Sequence, residues 1–291
     1  DRRRLRRCDR HSVERLAAGK DVKAAPIGAG ADQPADQRRN ALGIDPERAT
    51  APGHAHPRAA DGEIGIDPHR QRRGEGRRIV QAGIDWLQLH GVRTLGLETM
   101  PRTVENIGFY SAIGFEPGRL TVTLLKEVGR RPTEPTCLSQ TGQRRGALIE
   151  GCRTLSDLLA PGVDFSREIE LTERLGLGDT VIVEGAAGVD AFALCHSAAL
   201  AQDRPSDELR VLKLVARNDG ALDAVLSGAA WLAHREHLPR VGVRCQTGFT
   251  AAYRRLVTQG WAVHWTDLRM TLDGHPEPVV PTGVVWSNWE I

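Results

Sequence analysis

The sequence is short of aromatic and sulfur-bearing side chains. Only 4% of its 291 residues are aromatic, with two Tyr and two Met, and no aromatic precedes Trp86. No stretch approaches the ~18 consecutive apolar residues that a membrane-spanning helix needs. The five cysteines, at positions 8, 137, 152, 195 and 245, form no CxxC, which argues against a disulfide framework and a zinc ribbon. An excess of one charge is also lacking, since 39 basic side chains stand against 37 acidic ones and the formal charge is +2. The opening Asp1-Arg-Arg-Arg-Leu-Arg-Arg does not lead into the apolar core of a signal peptide. A cytoplasmic protein of about two domains, at roughly 150 residues each, is the expectation.

Charge and hydrophobicity are unevenly spread. Residues 1–60 contain 11 Arg, 2 Lys and 13 Ala but only seven Val, Ile or Leu. So few large aliphatics are too few to bury a core, and a disordered or irregular basic segment is expected there. An arm for nucleic acid is the sharper alternative, but no aromatics interleave with the arginines to stack bases.

From residue 61 the pattern becomes α/β. Glu63-Ile-Gly-Ile66 alternates like a short strand, and 74–90 carries apolar residues at helical spacing (Ile79, Val80, Ile84, Leu87), with Gly91 as a C-terminal cap. Strands are expected at 92–99, and at Phe115 and 120–126 as paired final strands, with a short helix at 106–112. Residues 129–146, rich in Arg, Pro, Thr, Gln and Gly, read as a linker. Beyond it a helix is expected at 147–159. Two strands, 179–184 and 189–196, flank the turn Gly185-Ala-Ala-Gly188. A strand at 209–215, a helix at 219–237, a strand at 240–246 and a helix at 249–258 follow, and strands at 261–265 and 267–272 close the sheet. The apolar tail Gly283-Val-Val-Trp286-Ser-Asn-Trp289 is expected to dock onto the sheet.

The order of these elements repeats. His90-Gly-Val-Arg93 matches His237-Leu-Pro-Arg240, Gly114-Phe115 matches Gly260-Trp261, and Arg119-Leu-Thr-Val-Thr-Leu124 matches Asp267-Leu-Arg-Met-Thr-Leu272, while Ile64 and Ile66 match Leu212 and Leu214. Four anchors in one order indicate a tandem of similar α/β modules, 61–128 and 147–291. Residues 31–48 should then match the hairpin at 179–196, yet they show no strand alternation. The expectation is that the first module's N-terminal half is missing or frameshifted, which the other reading frames of the DNA would reveal.

The most specific local signal is Gln71-Arg72-Arg73-Gly74-Glu75-Gly76, placed between a strand and a long helix. Glycines let the backbone approach a ligand, and free amides at a helix start point at an anion. Arg72, Arg73 and Arg77 add positive charge, so a diphosphate is the ligand expected from local chemistry. The spacing departs from a dinucleotide-binding GxGxxG, because Ile79 stands where the last Gly should be.

This Q/R-x-x-G-x-G/A pattern resembles the acetyl-CoA loop of the GNAT acyltransferase family. Ile64-Gly-Ile-Asp-Pro68 resembles the strand before that loop, and Phe109-Tyr-Ser-Ala-Ile-Gly-Phe115 the family's FYxxxGF. The resemblance covers 61–128. It implies two GNAT-like modules, each a mixed, mostly antiparallel twisted sheet flanked by helices, and an acetyl-CoA-dependent N-acetyltransferase acting on an amine of a small molecule or peptide. It further implies that Gln71, Arg72, Arg73, Gly74, Glu75, Gly76 and Arg77 hold the pyrophosphate and that backbone near Ile64 and Ile66 pairs with the pantetheine arm. Tyr110 is implied as the acid for the leaving thiolate. Thr103 stands where the family usually has Asn; Asn106, one turn before Tyr110, could reach the cofactor instead. Glu98 and Glu63 are the candidates for a base. In the second module Arg217-Asn218-Asp219-Gly220-Ala221 replaces the loop, and Leu256 replaces Tyr110, so that half is expected to be non-catalytic. A catalytically inactive binding or structural protein is the competing reading.

Other constellations do not assemble. Cys195 and His196 are adjacent on a strand and face opposite sides. His54 and His56 lack nearby acidic or Cys ligands, and His234 with His237 is a solvated helix end, so no metal site is expected. Oligomeric state is left between monomer and homodimer.

Overall fold

A computed structural model describes residues 72–129, 134–198 and 207–289, all within one compact unit, His54–Ile291. Helix α1 (Glu75–Leu89) buries Ile84 and Leu87, the stripe its apolar spacing dictates. It ends at Gly91, whose left-handed φ of 71° suits glycine. Val92 still belongs to that cap, its amide donating to Leu87 O at 3.2 Å. Strand β1 therefore spans only Gly96–Thr99, and α2 (Val104–Ser111) follows. Strand β2 (Phe115–Glu127) is one continuous element rather than two paired ones, with a register shift between Pro117 and Leu120 that absorbs the missing proline amide.

The expected linker is built in part. It contributes β3 (Thr136–Cys137) and two 3₁₀ turns, with Cys137 and Leu138 buried. Next come α3 (Arg145–Leu159), α4 (Ser166–Arg174), β4 (Gly178–Gly185), β5 (Gly188–His196), β6 (Glu208–Ala216), α5 (Asp219–Arg235), β7 (Arg240–Gln246), α6 (Thr250–Thr258), β8 (Ala262–Leu272) and β9 (Val284–Ser287). Strand β8, like β2, unites two segments expected to be separate.

The strands form a single sheet in the order β1-β8-β2-β7-β6-β5-β4-β3, with β9 on β6. Among the described residues only β6 and β7 are parallel; the remaining pairs are antiparallel. In that order β1 and β2 from the first half interleave with β7 and β8 from the second. Alternation along the strands sends apolar side chains to opposite faces. Helices α1 and α2 cover one face of β1 and β8 through Ile84, Leu87, Leu95, Phe115 and Met270. Helix α5 covers one face of β5–β7, and α3 and α4 cover the other face of β4–β6. The tail docks as expected, with Trp286 2% exposed. No helix among the described residues is long and apolar enough to cross a membrane.

Candidate functional site

The turn into α1 carries two left-handed residues, Arg72 (φ 61°) and Gly74 (φ 78°). Glycine takes this conformation freely, whereas for arginine it costs roughly 1–2 kcal/mol. Gly74 is the N-cap and provides no side chain to cap the helix. The first intrahelical bond runs from Arg78 N to Gly74 O at 3.1 Å, so the preceding amides of the first turn have no intrahelical acceptor. Arg72, Arg73, Gly74, Arg77 and Arg78 are exposed, while Glu75 and Gly76 are half-buried. The result is an arginine-flanked turn at the positive end of a 15-residue helix.

The start of α5 is chemically the opposite. Asn218 Oδ1 accepts the Ala221 amide at 2.9 Å, which closes one of the donors an anion would use. Asp219 adds negative charge and lies 3.5 Å from Arg255, while Arg217 is held by Asp190 at 2.9 Å. The second half's helix start thus carries a side-chain cap and an ion-paired arginine, unlike the start of α1.

Tyr110 lies on α2, half-buried, with its ring edge-on to Phe109 at 5.1 Å and to Phe115 at 6.0 Å. Asn106 is exposed one turn earlier, and its amide donates to Thr103 O at 3.0 Å. Ile64, Ile66, Glu63 and Gln71 lie outside the described residues, as do His54 and His56 and the whole of the 1–60 segment.

Glu98 lies on β1. Its side chain is 2% exposed and faces Arg269 at 2.9 Å and Arg244 at 3.6 Å, while Thr121 Oγ1 donates to it at 2.5 Å. Arg269 is 3% exposed; it also pairs with Glu277, donates to Ser287 O at 2.8 Å, and stacks under Trp289 at 3.5 Å. Arg244 pairs in addition with Asp267. Glu98 therefore acts as a tie between β1, β2, β7 and β8. This network escaped sequence reasoning because its members sit on four strands far apart in the chain. One signal was present: Arg269 interrupts the apolar run Leu268-Arg-Met-Thr-Leu272. Beside it lies a cavity of about 350 Å³, lined in part by Arg119, Gln246, Phe249, Arg269, Ser287 and Trp289.

The described thiols are chemically quiet. Burial pushes Cys137 up to about 11, and Cys152 and Cys245 up to about 12, and it also raises Cys195. None can supply a thiolate near neutrality. His196, bonded to Thr172 Oγ1 at 2.9 Å, is lowered to about 4 by burial and then by Arg210 and Lys213.

Comparison with known proteins agrees with the fold. Residues 15–115, about a third of the chain, match the model described as Acetyltransferase (GNAT) family. The match begins well inside the Arg- and Ala-rich region. No curated protein matches the sequence. Among solved structures, a putative acetyltransferase from Pyrococcus horikoshii is 16% identical, with 77% of this chain and 69% of that one covered and a TM-score of 0.54. A GCN5-related N-acetyltransferase from Sphaerobacter thermophilus is 16% identical over 78% and 74% of the two chains, with a TM-score of 0.48. A tandem GNAT protein from the clavulanic acid biosynthesis pathway is 12% identical over 74% of each chain, with a TM-score of 0.47. The first of these likenesses establishes the fold: a mixed α/β domain with a mostly antiparallel open sheet flanked by helices.

Proposed function

We propose that the chain is an acetyl-CoA-dependent N-acetyltransferase built as a tandem of two GNAT-like halves, of which the first is catalytic. It would act in the cytoplasm, as monomer or homodimer and without a metal, on an amine of a small molecule or peptide. The observation that carries this reading is the contrast between the two helix starts. The start of α1 is uncapped, exposed and flanked by Arg72, Arg73, Arg77 and Arg78, whereas that of α5 is capped by Asn218. Residues 72–77 suit a diphosphate. The family resemblance adds Gln71, the backbone near Ile64 and Ile66, and Asn106.

Acetyl-CoA supplies an activated thioester. The acceptor nitrogen forms the new C–N bond as the C–S bond breaks, and Tyr110 gives its hydroxyl proton to the departing thiolate. The amine proton leaves to solvent or to a base other than Glu98, which is committed to two arginines.

The competing reading, an inactive GNAT-like protein, draws support from that same commitment of Glu98. An acceptor screen separates the two: acetyl-CoA is mixed with a panel of amines, and release of the CoA thiol is followed. The enzyme reading predicts turnover with at least one amine, and a fall in kcat of roughly 10²–10⁴-fold for Tyr110→Phe with acetyl-CoA affinity unchanged. Saturable acetyl-CoA binding with no thiol release from any amine would favour the inactive protein.

A further inference from the structure

Strands β6 and β7 run parallel for only four pairs, from Glu208–Arg240 to Val211–Val243. Beyond these, β7 continues against β2 alone, ending at the Thr121–Gln246 pair. The β6 residues Lys213 to Ala216 no longer have β7 beside them. That backbone edge, buried among apolar side chains, requires partners of its own. The C-terminal strand provides them: Lys213 pairs with Ser287, Leu214 with Trp286, Val215 with Val285 and Ala216 with Val284.

Side chains from both walls then grip the inserted strand by its oxygens. Lys213 Nζ donates to Asn288 O at 2.6 Å, and Arg269 Nη1 to Ser287 O at 2.8 Å. Gln246 Nε2 donates to Ser287 O at 3.2 Å, and Arg244 Nη1 to Asn288 Oδ1 at 3.3 Å. Entry depends on Gly283, whose φ is 69° and whose backbone lies so close to β6 that a Cβ would stand 2.5 Å from Ala216 O. Trp286 and Val284 fill the core on the α5 side, and Val285 the core on the α3 side.

We infer that the gap between β6 and β7 is a slot for an extended chain bearing carbonyl oxygens, and that the C-terminal strand is its resident occupant, closing the second half to a pantetheine-like arm. A strand edge and three cationic side chains, Lys213, Arg244 and Arg269, read carbonyls without reading sequence. The inference rests on the proposed function for the class of ligand excluded, and it leaves one cofactor site per chain.

Two measurements test it. In the full chain, amide exchange at residues 285–288 is expected to be at least about 100-fold slower than in an unstructured peptide, and unchanged by saturating acetyl-CoA. Exchange at the free-peptide rate, or protection lost on adding acetyl-CoA, overturns the inference. The second uses full-length Trp286→Glu, which buries a charge where the tail docks and expels it. Pantetheine, which lacks the diphosphate and so does not need the α1 loop, is expected to bind this variant at least about tenfold more tightly than the unaltered chain. A variant whose tail exchanges freely but which gains no pantetheine affinity also overturns the inference; should the variant fail to fold, the exchange result decides. A chain that never binds acetyl-CoA sinks the proposed function and leaves the pantetheine comparison intact.

Discussion

Leu120 and Leu268 face each other across the β2–β8 ladder, and the two leucines hold equivalent places in the sequence repeat. A residue paired with its own counterpart lies on a two-fold axis. The antiparallel β1–β8 and β2–β7 ladders lie on either side of it in the sheet. Each half thus lends its long last strand to the other. The second half is structurally inseparable from the first, although its own helix start is closed.

Interleaving of this kind predicts one cooperative transition for the described unit. Far-ultraviolet circular dichroism and tryptophan fluorescence should give coincident denaturant midpoints. Two resolved transitions would mean that the halves fold independently.

Arg269 joins a carboxylate of the first half, Glu98, to one of the second, Glu277. Removing it leaves the buried Glu98 carboxylate with only the more distant Arg244, so Arg269→Met should lose about 3 kcal/mol of stability. In a double-mutant cycle with Glu98→Gln the losses should be non-additive, because one partner's absence already removes the interaction. Additive losses would place the two side chains outside a common network.

The two helix starts should respond differently to substitution. Asn218→Ala removes a side-chain cap and should cost about 1 kcal/mol while leaving acetyl-CoA affinity unchanged. Gly74→Ala forces a Cβ into a left-handed turn that has open space around it. It should therefore disturb the loop conformation and weaken acetyl-CoA binding. Calorimetry on both variants, with thermal unfolding alongside, separates the two effects.

His196 gives the fold a pH dependence of known sign. Its folded value, about 4, lies below the unfolded 6.5, so the unfolded chain takes up the proton first. Its contribution is fully present above pH 6.5 and is lost as the pH falls toward 4. Over that window the melting temperature should fall more steeply in the natural chain than in His196→Gln, which keeps a hydrogen-bonding group toward Thr172 and does not titrate. Equal slopes would show that His196 does not titrate differently in the two states.

The second half was legible in sequence because its signals are local. The hairpin around Gly185 and Gly188 and the strand Arg240–Gln246 announce themselves by alternation. Helix α5 does so by its length and apolar content. Helix α4 was not legible, since Ser166–Arg174 buries only Ile169 and Thr172. The unity of β2 was hidden by Pro117-Gly118, which reads as a break and is a bulge. The loop at 72–77 could be found because its glycines and arginines are contiguous. The true state of Glu98 could not, because three of its four strands lie elsewhere in the chain and only the shared sheet brings Arg244 and Arg269 to it.

The most direct test of the account is calorimetric titration of acetyl-CoA into the full chain, with Gly76→Trp as the control. Saturable binding at one equivalent, abolished by the substitution while the fold is retained, is the result predicted. A folded chain that binds no acetyl-CoA, or binds it equally well with Trp at position 76, would contradict the assignment of the cofactor to the start of α1.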